Sequence, residues 1–163
     1  MNIRSAQRED AEAVLTFLRA FRGEGLKTVL QHSQSPTLQE EESFISTLDG
    51  VTGVMLIALT DGQVVGCLTA ELERHPQLCH ACEFGMGVLK EQRGEGIGAA
   101  LVESLIDWAK SKGLRRIQLS VFARNTGAIR LYRRLGFVVE GTKREAIQIG
   151  DQYEDLVEMA RIV

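Results

Sequence analysis

The chain has 163 residues, enough for one domain with a full core and too few for two ordinary ones. Its formal charge of −3 is spread without blocks, which argues against nucleic acid or an anionic membrane as the main partner. Met1 to Arg8 carries no apolar signal-peptide core, no run approaches membrane-spanning length, and three cysteines make no disulfide framework, so a reducing cytoplasm is the expected setting.

In chain order, Ile3 and Arg4 open with a short strand, and a first helix is expected over about Glu9 to Phe21. Ala11, Val14, Leu15, Leu18 and Phe21 fall there on one stripe. Gly23 and Gly25 break it, and Leu26 to Gln34 reads as loop or irregular helix. Ser35-Pro36 predicts a helix start, followed by three glutamates in the first turns and Phe44, Ile45 and Leu48 on the apolar side. Val54 to Leu59 and Val64 to Leu72 form an antiparallel hairpin about Asp61-Gly62. A strand over Cys82 to Val88, a basic glycine-rich turn over Lys90 to Gly98 and an amphipathic helix ending at Gly113 come next.

Arg116 to Phe122 is the next strand. Asn125 is placed to cap a further helix with Ala128, Leu131, Tyr132 and Leu135 on one stripe, and Gly136 stops it. Val138 to Gln148 and Tyr153 to Arg161 read as two strands joined at Gly150-Asp151. With no repeat or linker, residues 1–163 make a single α/β domain in the order β-α-α-β-β-β-α-β-α-β-β.

Two stretches carry chemistry. In the turn, Gly94, Gly96 and Gly98 let backbone N–H groups fold into an anion nest, and the helix behind adds its positive end. Arg93 stands at the mouth of that nest, and the side chain of Glu95 is expected to point outward. In the strand before it, Glu83, Gly85 and Gly87 share a face opposite Cys82, Phe84, Met86 and Val88. Two glycines beside a carboxylate suit a ligand lying against the backbone; a bulged core strand with Glu83 reaching solvent is the alternative. Cys79-His80-Ala81-Cys82 has no second ligand pair for zinc and enters a strand rather than a helix, so buried strand cysteines are expected and no metal.

No lysine follows these glycines, as a P-loop requires, and no acidic residue ends the following strand, as a dinucleotide fold wants. Instead, Arg93-x-x-Gly96-x-Gly98 followed by Asn125-x-x-Ala128-x-x-x-Tyr132-x-x-x-Gly136-Phe137 resembles the GNAT superfamily of acyl-CoA N-acyltransferases. The resemblance is strong over Glu83 to Phe137 and extends as element order along the chain. The tail, Glu140-Gly141-Thr142-x-Arg144 then Tyr153-x-Asp155, is similar to the branch of ribosomal-protein N-terminal and polyamine acetyltransferases.

The resemblance implies a mixed, mostly antiparallel sheet flanked by helices, and acetyl-CoA as co-substrate. Its pyrophosphate would lie on the turn (Arg93, Gly94, Glu95, Gly96, Ile97, Gly98) and its pantetheine along Met86, Gly87 and Val88. Asn125 matches the pantetheine-side position and Tyr132 the sulfur-side one; a plain helix cap and a core aromatic are the competing roles. The implied reaction moves acetyl to a primary amine, either a small molecule or a peptide N-terminus, by direct attack in a ternary complex. Glu83, in a partly dry cleft, is the candidate base and Tyr132 the candidate acid. A non-catalytic acyl-CoA-binding sensor is the rival reading, and a homodimer is left open.

Overall fold

The computed structural model describes residues 1–26, 35–48 and 50–163; most of the expected loop after Leu26 falls outside them. Among the residues described, seven strands form one sheet: β1 (Asn2–Ser5), β2 (Gly53–Thr60), β3 (Gln63–Leu72), β4 (Ala81–Val88), β5 (Arg116–Phe122), β6 (Val138–Ile149) and β7 (Gln152–Ile162). Their order is β1-β2-β3-β4-β5-β7-β6. Only β4 and β5 pair in parallel; every other neighbour is antiparallel. Among the described residues four helices cover it, α1 (Ala11–Gly23), α2 (Leu38–Thr47), α3 (Ile97–Ser111) and α4 (Thr126–Arg134), so their element order is the expected one.

Strand alternation splits the apolar residues into two cores. Leu68, Cys82, Phe84, Ile117, Leu119 and Met159 pack with α3 and α4 on one face. Met55, Ile57, Val64 and Cys67 pack with α1 and α2 on the other. The hairpin turn follows its sequence, with positive φ at both Asp61 (49°) and Gly62 (78°). The β2–β3 register slips at Ala58/Leu59, and this lets Val64 and Cys67 share the α1 face although they are three residues apart.

Both early helices start later than the sequence suggests. A 3-10 turn (Arg8–Asp10) precedes α1, because the Asp10 carboxylate accepts from the Gln7 N–H at 2.7 Å and holds Arg4 through two bonds of 2.6 and 2.7 Å. For α2 the cap is Thr37 rather than Ser35. The Thr37 N–H donates to Glu40 Oε2 at 2.7 Å and Thr37 Oγ1 accepts the Glu40 N–H at 3.3 Å. This reciprocal box satisfies two orphan donors, which Pro36 at a first helical position would not do, and leaves the proline just outside. In α4 the buried residues are Ile129 and Tyr132; Ala128 and Leu135 lie at the edge of the core.

Candidate active site

The β4–β5 ladder has three pairs, Ala81↔Arg116, Cys82↔Ile117 and Glu83↔Gln118, and then stops. Both strands continue, β4 to Val88 and β5 to Phe122, so beyond Glu83 the two diverge with their facing edges unpaired. A cleft of about 1300 Å³ opens there and runs from Glu71 and Glu83 at one end to Arg93, Gly94, Gly96 and Gly98 at the other. At about 3.3 Å per residue, β4 makes a track of about 16 Å between Glu83 and Val88.

At the far end stands the nest. Gly94 and Gly96 take φ of +86° and +85°, a left-handed conformation that L side chains strain to adopt. Gly96 is the residue before α3, and neither it nor any other side chain caps that helix. Among the described residues, the N–H groups of Gly94, Glu95 and Gly96 meet no backbone acceptor, and those of Ile97, Gly98 and Ala99 belong to the first helical turn, whose donors have no partner within the helix. Six consecutive donors at the positive end of a fifteen-residue helix make a site for a multiply charged anion. Gly98 serves packing instead: a Cβ there would stand 3.3 Å from both Leu131 Cδ2 and Met86 Cε. Glu95 is exposed and, alone among residues 94–98, does not line the cleft, so its side chain does point outward.

Arg93 lines the cleft at the nest end, as expected, and its side chain has partners of its own. Its Nε donates to the Val88 carbonyl at 2.9 Å, its guanidinium pairs with Glu24, and it lies 6.0 Å from the Phe21 ring centroid. Glu24 also accepts the Lys90 N–H at 2.8 Å. Arg93 therefore also ties the turn to the end of α1. The two glycines of β4 also divide. Gly85 faces open space, as a backbone-hugging ligand requires, whereas a Cβ at Gly87 would come within 2.7 Å of Phe21 Cζ, so that glycine makes room for a ring. The strand is regular, with Met86 and Val88 on the opposite face beside the cleft.

At the other end, Glu83 is exposed, so the partly dry surroundings expected for it are not what the fold provides. Its cross-strand partner is Glu71, also exposed, and neither carboxylate has a hydrogen bond or ion pair among the described residues. Glu73 follows on the same face, with its N–H on the Ala81 carbonyl at 3.1 Å. It accepts from Gln118 Nε2 at 3.3 Å, and Gln118 Oε1 accepts from Arg116 Nε at 2.8 Å. Arg116 is itself held bidentately by Glu140. Glu71 and Glu73 were not singled out from the sequence. The register of β3 on β4, set by the connection over residues 73–80, is the signal that would have found them.

Tyr132 is 6 % exposed, edge-on to Phe84 and tilted against Phe137, with centroids at 5.7 and 5.9 Å. Burial pushes its hydroxyl up to about 12. No hydrogen bond ties that hydroxyl, and no fully buried side-chain oxygen lacks a partner among the described residues, so the oxygen reaches the cleft that the residue lines. Its core and site positions coexist. Asn125 likewise does both: Oδ1 accepts the Ala128 N–H at 3.2 Å as a cap, and the residue lines the cleft.

Cys82 is buried in the core with its thiol pushed up to about 12, and Cys79 is exposed with Sγ 3.1 Å from the Pro76 carbonyl. Cys67 lines the cleft near Glu41, a carboxyl only 4 % exposed and raised by burial. No helix among the described residues is long and apolar enough to cross a membrane.

A model of the acetyltransferase (GNAT) family matches residues 13–137. The L-amino acid N-acetyltransferase of Escherichia coli K12 is 34% identical over 111 residues, covering 66% of this chain and 67% of that one. The ribosomal protein bS18 alanine N-acetyltransferase of the same strain is 36% identical over 83 residues, 51% of this chain and 56% of its own. Among solved structures, a GNAT family acetyltransferase from Streptococcus pneumoniae superposes with a TM-score of 0.89 at 27% identity, covering 99% of this chain and 98% of that one.

Proposed function

The chain belongs to the acetyltransferase (GNAT) family and is an N-acetyltransferase of that type, and we propose that it moves the acetyl group of acetyl-CoA to a primary amine by direct attack in a ternary complex. The observation that carries this reading is the run of N–H groups from Gly94 to Ala99 that find no backbone partner among the described residues, joined by an unpaired strand edge to a carboxylate pair. The pyrophosphate lies on those donors, the pantetheine along Met86 to Val88 beside Asn125, and the thioester near the point where β4 and β5 part.

The amine arrives as an ammonium and has no lone pair, so a proton leaves first, to Glu83 directly or through water. The nitrogen then bonds to the thioester carbon as the carbon–sulfur bond breaks, and the thiolate departs with the electron pair. Tyr132, whose hydroxyl reaches the cleft, donates to the charging sulfur, passes it the thiol proton and is reprotonated from solvent. The net change is ammonium plus thioester to amide, thiol and one proton.

Thioester consumption with a mixed amine panel, read by mass spectrometry, tests the reading and separates it from a binding-only sensor. Glu83→Gln is expected to bind acetyl-CoA normally and to lose turnover most near neutral pH, recovering as the amine deprotonates at higher pH. A mutant that follows the wild-type pH profile at equal rate would remove Glu83 as the base.

A further inference from the structure

We infer that Ser120 is a further catalytic residue, which takes the second proton shed by the attacking nitrogen, and that Glu158, outside the cleft, positions its hydroxyl for that task. The inference rests on the acetyl-transfer reading, because it concerns a proton of that same reaction.

Turning an ammonium into an amide removes two protons from the nitrogen. The first leaves before attack, and Glu83 serves that step. As the nitrogen bonds to the thioester carbon it becomes positive again, and the amide forms only when a second N–H bond breaks. Glu83 has by then taken the first proton, and Tyr132 is a donor to sulfur. The step still needs an acceptor within reach of the nitrogen.

Strand β5 offers one. Past the last ladder pair, Glu83↔Gln118, the next residues on the same face are Gly85 on β4 and Ser120 on β5. Phe84, Leu119 and Val121 face the other way, into the core with α3 and α4. Gly85 and Ser120 both line the cleft, so Ser120 stands across the gap from the open backbone of Gly85. That level lies between Glu83 and the Met86 to Val88 track, where the thioester would sit.

Ser120 Oγ donates to Glu158 Oε1 at 2.8 Å, and Glu158 is its partner in the β5–β7 register. Lys143 Nζ stands 3.1 Å from the same oxygen. A carboxylate can only accept, so the one hydroxyl proton is committed to Glu158 and Ser120 offers the cleft lone pairs alone. It can accept an N–H there and does not compete with Tyr132 for the sulfur. The step balances. The N–H bond breaks with its electron pair left on nitrogen, the proton bonds to Ser120 Oγ, and the original hydroxyl proton passes to Glu158. Water then removes it from that half-buried carboxyl.

The test follows kcat and KM against pH with ethylamine and 2,2,2-trifluoroethylamine. The fluorines make the attacking nitrogen a stronger acid at nearly the same size, so it needs less help to lose its second proton. Ser120→Ala is expected to lower kcat for ethylamine about tenfold, below the usual range for base catalysis because the adduct is already acidic, and less for the fluorinated amine. The ethylamine deficit should persist at high pH, where Glu83→Gln recovers, because it arises after attack. Ser120→Thr keeps a hydroxyl and should restore most of the rate. Glu158→Gln still accepts the hydroxyl but takes no proton, so kcat should fall as in Ser120→Ala with ethylamine binding unmoved. Wild-type kcat in Ser120→Ala or Glu158→Gln, an equal deficit for both amines, recovery at high pH, or threonine no better than alanine would overturn the inference. NMR titration of ethylamine into the CoA-loaded protein reads the contact without chemistry, and Ser120→Ala should weaken it severalfold. Absent or unweakened binding overturns the inference whatever the turnover. Weakened binding with no amine acetylated would uphold Ser120 as the acceptor facing the nitrogen and count against acetyl transfer instead.

Discussion

The nest is best tested by two glycines that share a backbone and differ in what lies in front of them. Gly96 has φ +85° and Gly113 has φ +69°, and at either position a Cβ would meet nothing within 4 Å. Alanine at each therefore brings no clash, only the strain of a left-handed L residue, worth about 1–2 kcal/mol. Both variants should fold and melt lower by a similar amount. Their affinities should part. Gly113 ends α3 away from the cleft, whereas the open space at Gly96 is where the pyrophosphate would lie. A methyl group there, or a turn that twists to relieve its strain, removes at least one N–H bond to a charged oxygen. Such bonds contribute about 1.5–3 kcal/mol each, or about 10- to 150-fold in affinity. Calorimetric titration with acetyl-CoA reads the difference. A folded Gly96→Ala protein with the affinity of Gly113→Ala would refute the backbone nest as the anchor.

Tyr132→Phe keeps the ring contacts with Phe84 and Phe137 and loses a hydroxyl with no internal partner, so melting should hardly change while kcat falls about 10- to 100-fold; wild-type kcat would leave Tyr132 as packing alone. Gly87→Ala drives a Cβ to 2.7 Å from Phe21 and should destabilise by about 1–3 kcal/mol in thermal melts, whereas Gly85→Ala meets nothing and should keep stability but raise KM; equal melting of the two would count against the assignment. Glu41 is raised by burial, so its neutral form favours the folded state: stability is fullest below the ordinary carboxylate range and declines as pH rises through and above 4.5. Glu41→Gln should flatten that decline and melt higher at neutral pH, which urea titrations at pH 4 and pH 7 would show.

Much of this was legible because the signals were local. Asp61-Gly62 specified its turn, Asn125 its helix start, and the alternation in β4 correctly set Phe84 and Met86 against Glu83 and Gly85. Where two local signals competed, the one satisfying more backbone donors prevailed, and so Thr37 with Glu40 took the helix start from Ser35-Pro36. What could not be read from neighbouring residues was partnership at a distance. The pairing of Arg93 with Glu24 joins residues 69 apart in the chain, a separation that no spacing rule spans. Gly87 looked like a ligand position because Phe21 reaches it only after α1 has docked. The opposition of Glu71 and Glu83 needs the register of β3 on β4, which an eight-residue connection with no turn signature does not disclose.

These corrections change how the cleft works. With Arg93 drawn onto Glu24, Val88 and Phe21, the turn is held from behind by α1, and the anion binding proposed for it would fall to the backbone itself. Backbone donors need no rearrangement to meet a phosphate, whereas an arginine side chain would first have to be ordered. The tie also links the two ends of the reaction. The residues that brace the nest, Phe21 and Glu24, belong to the helix whose Phe17 and Leu18 wall the same cleft. Glu24→Gln weakens the ion pair but can keep the bond from the Lys90 N–H. It should therefore affect acetyl-CoA binding less than Glu24→Ala, which releases both. Equal losses would mean that the charge on Arg93, rather than the position of the turn, is what α1 controls.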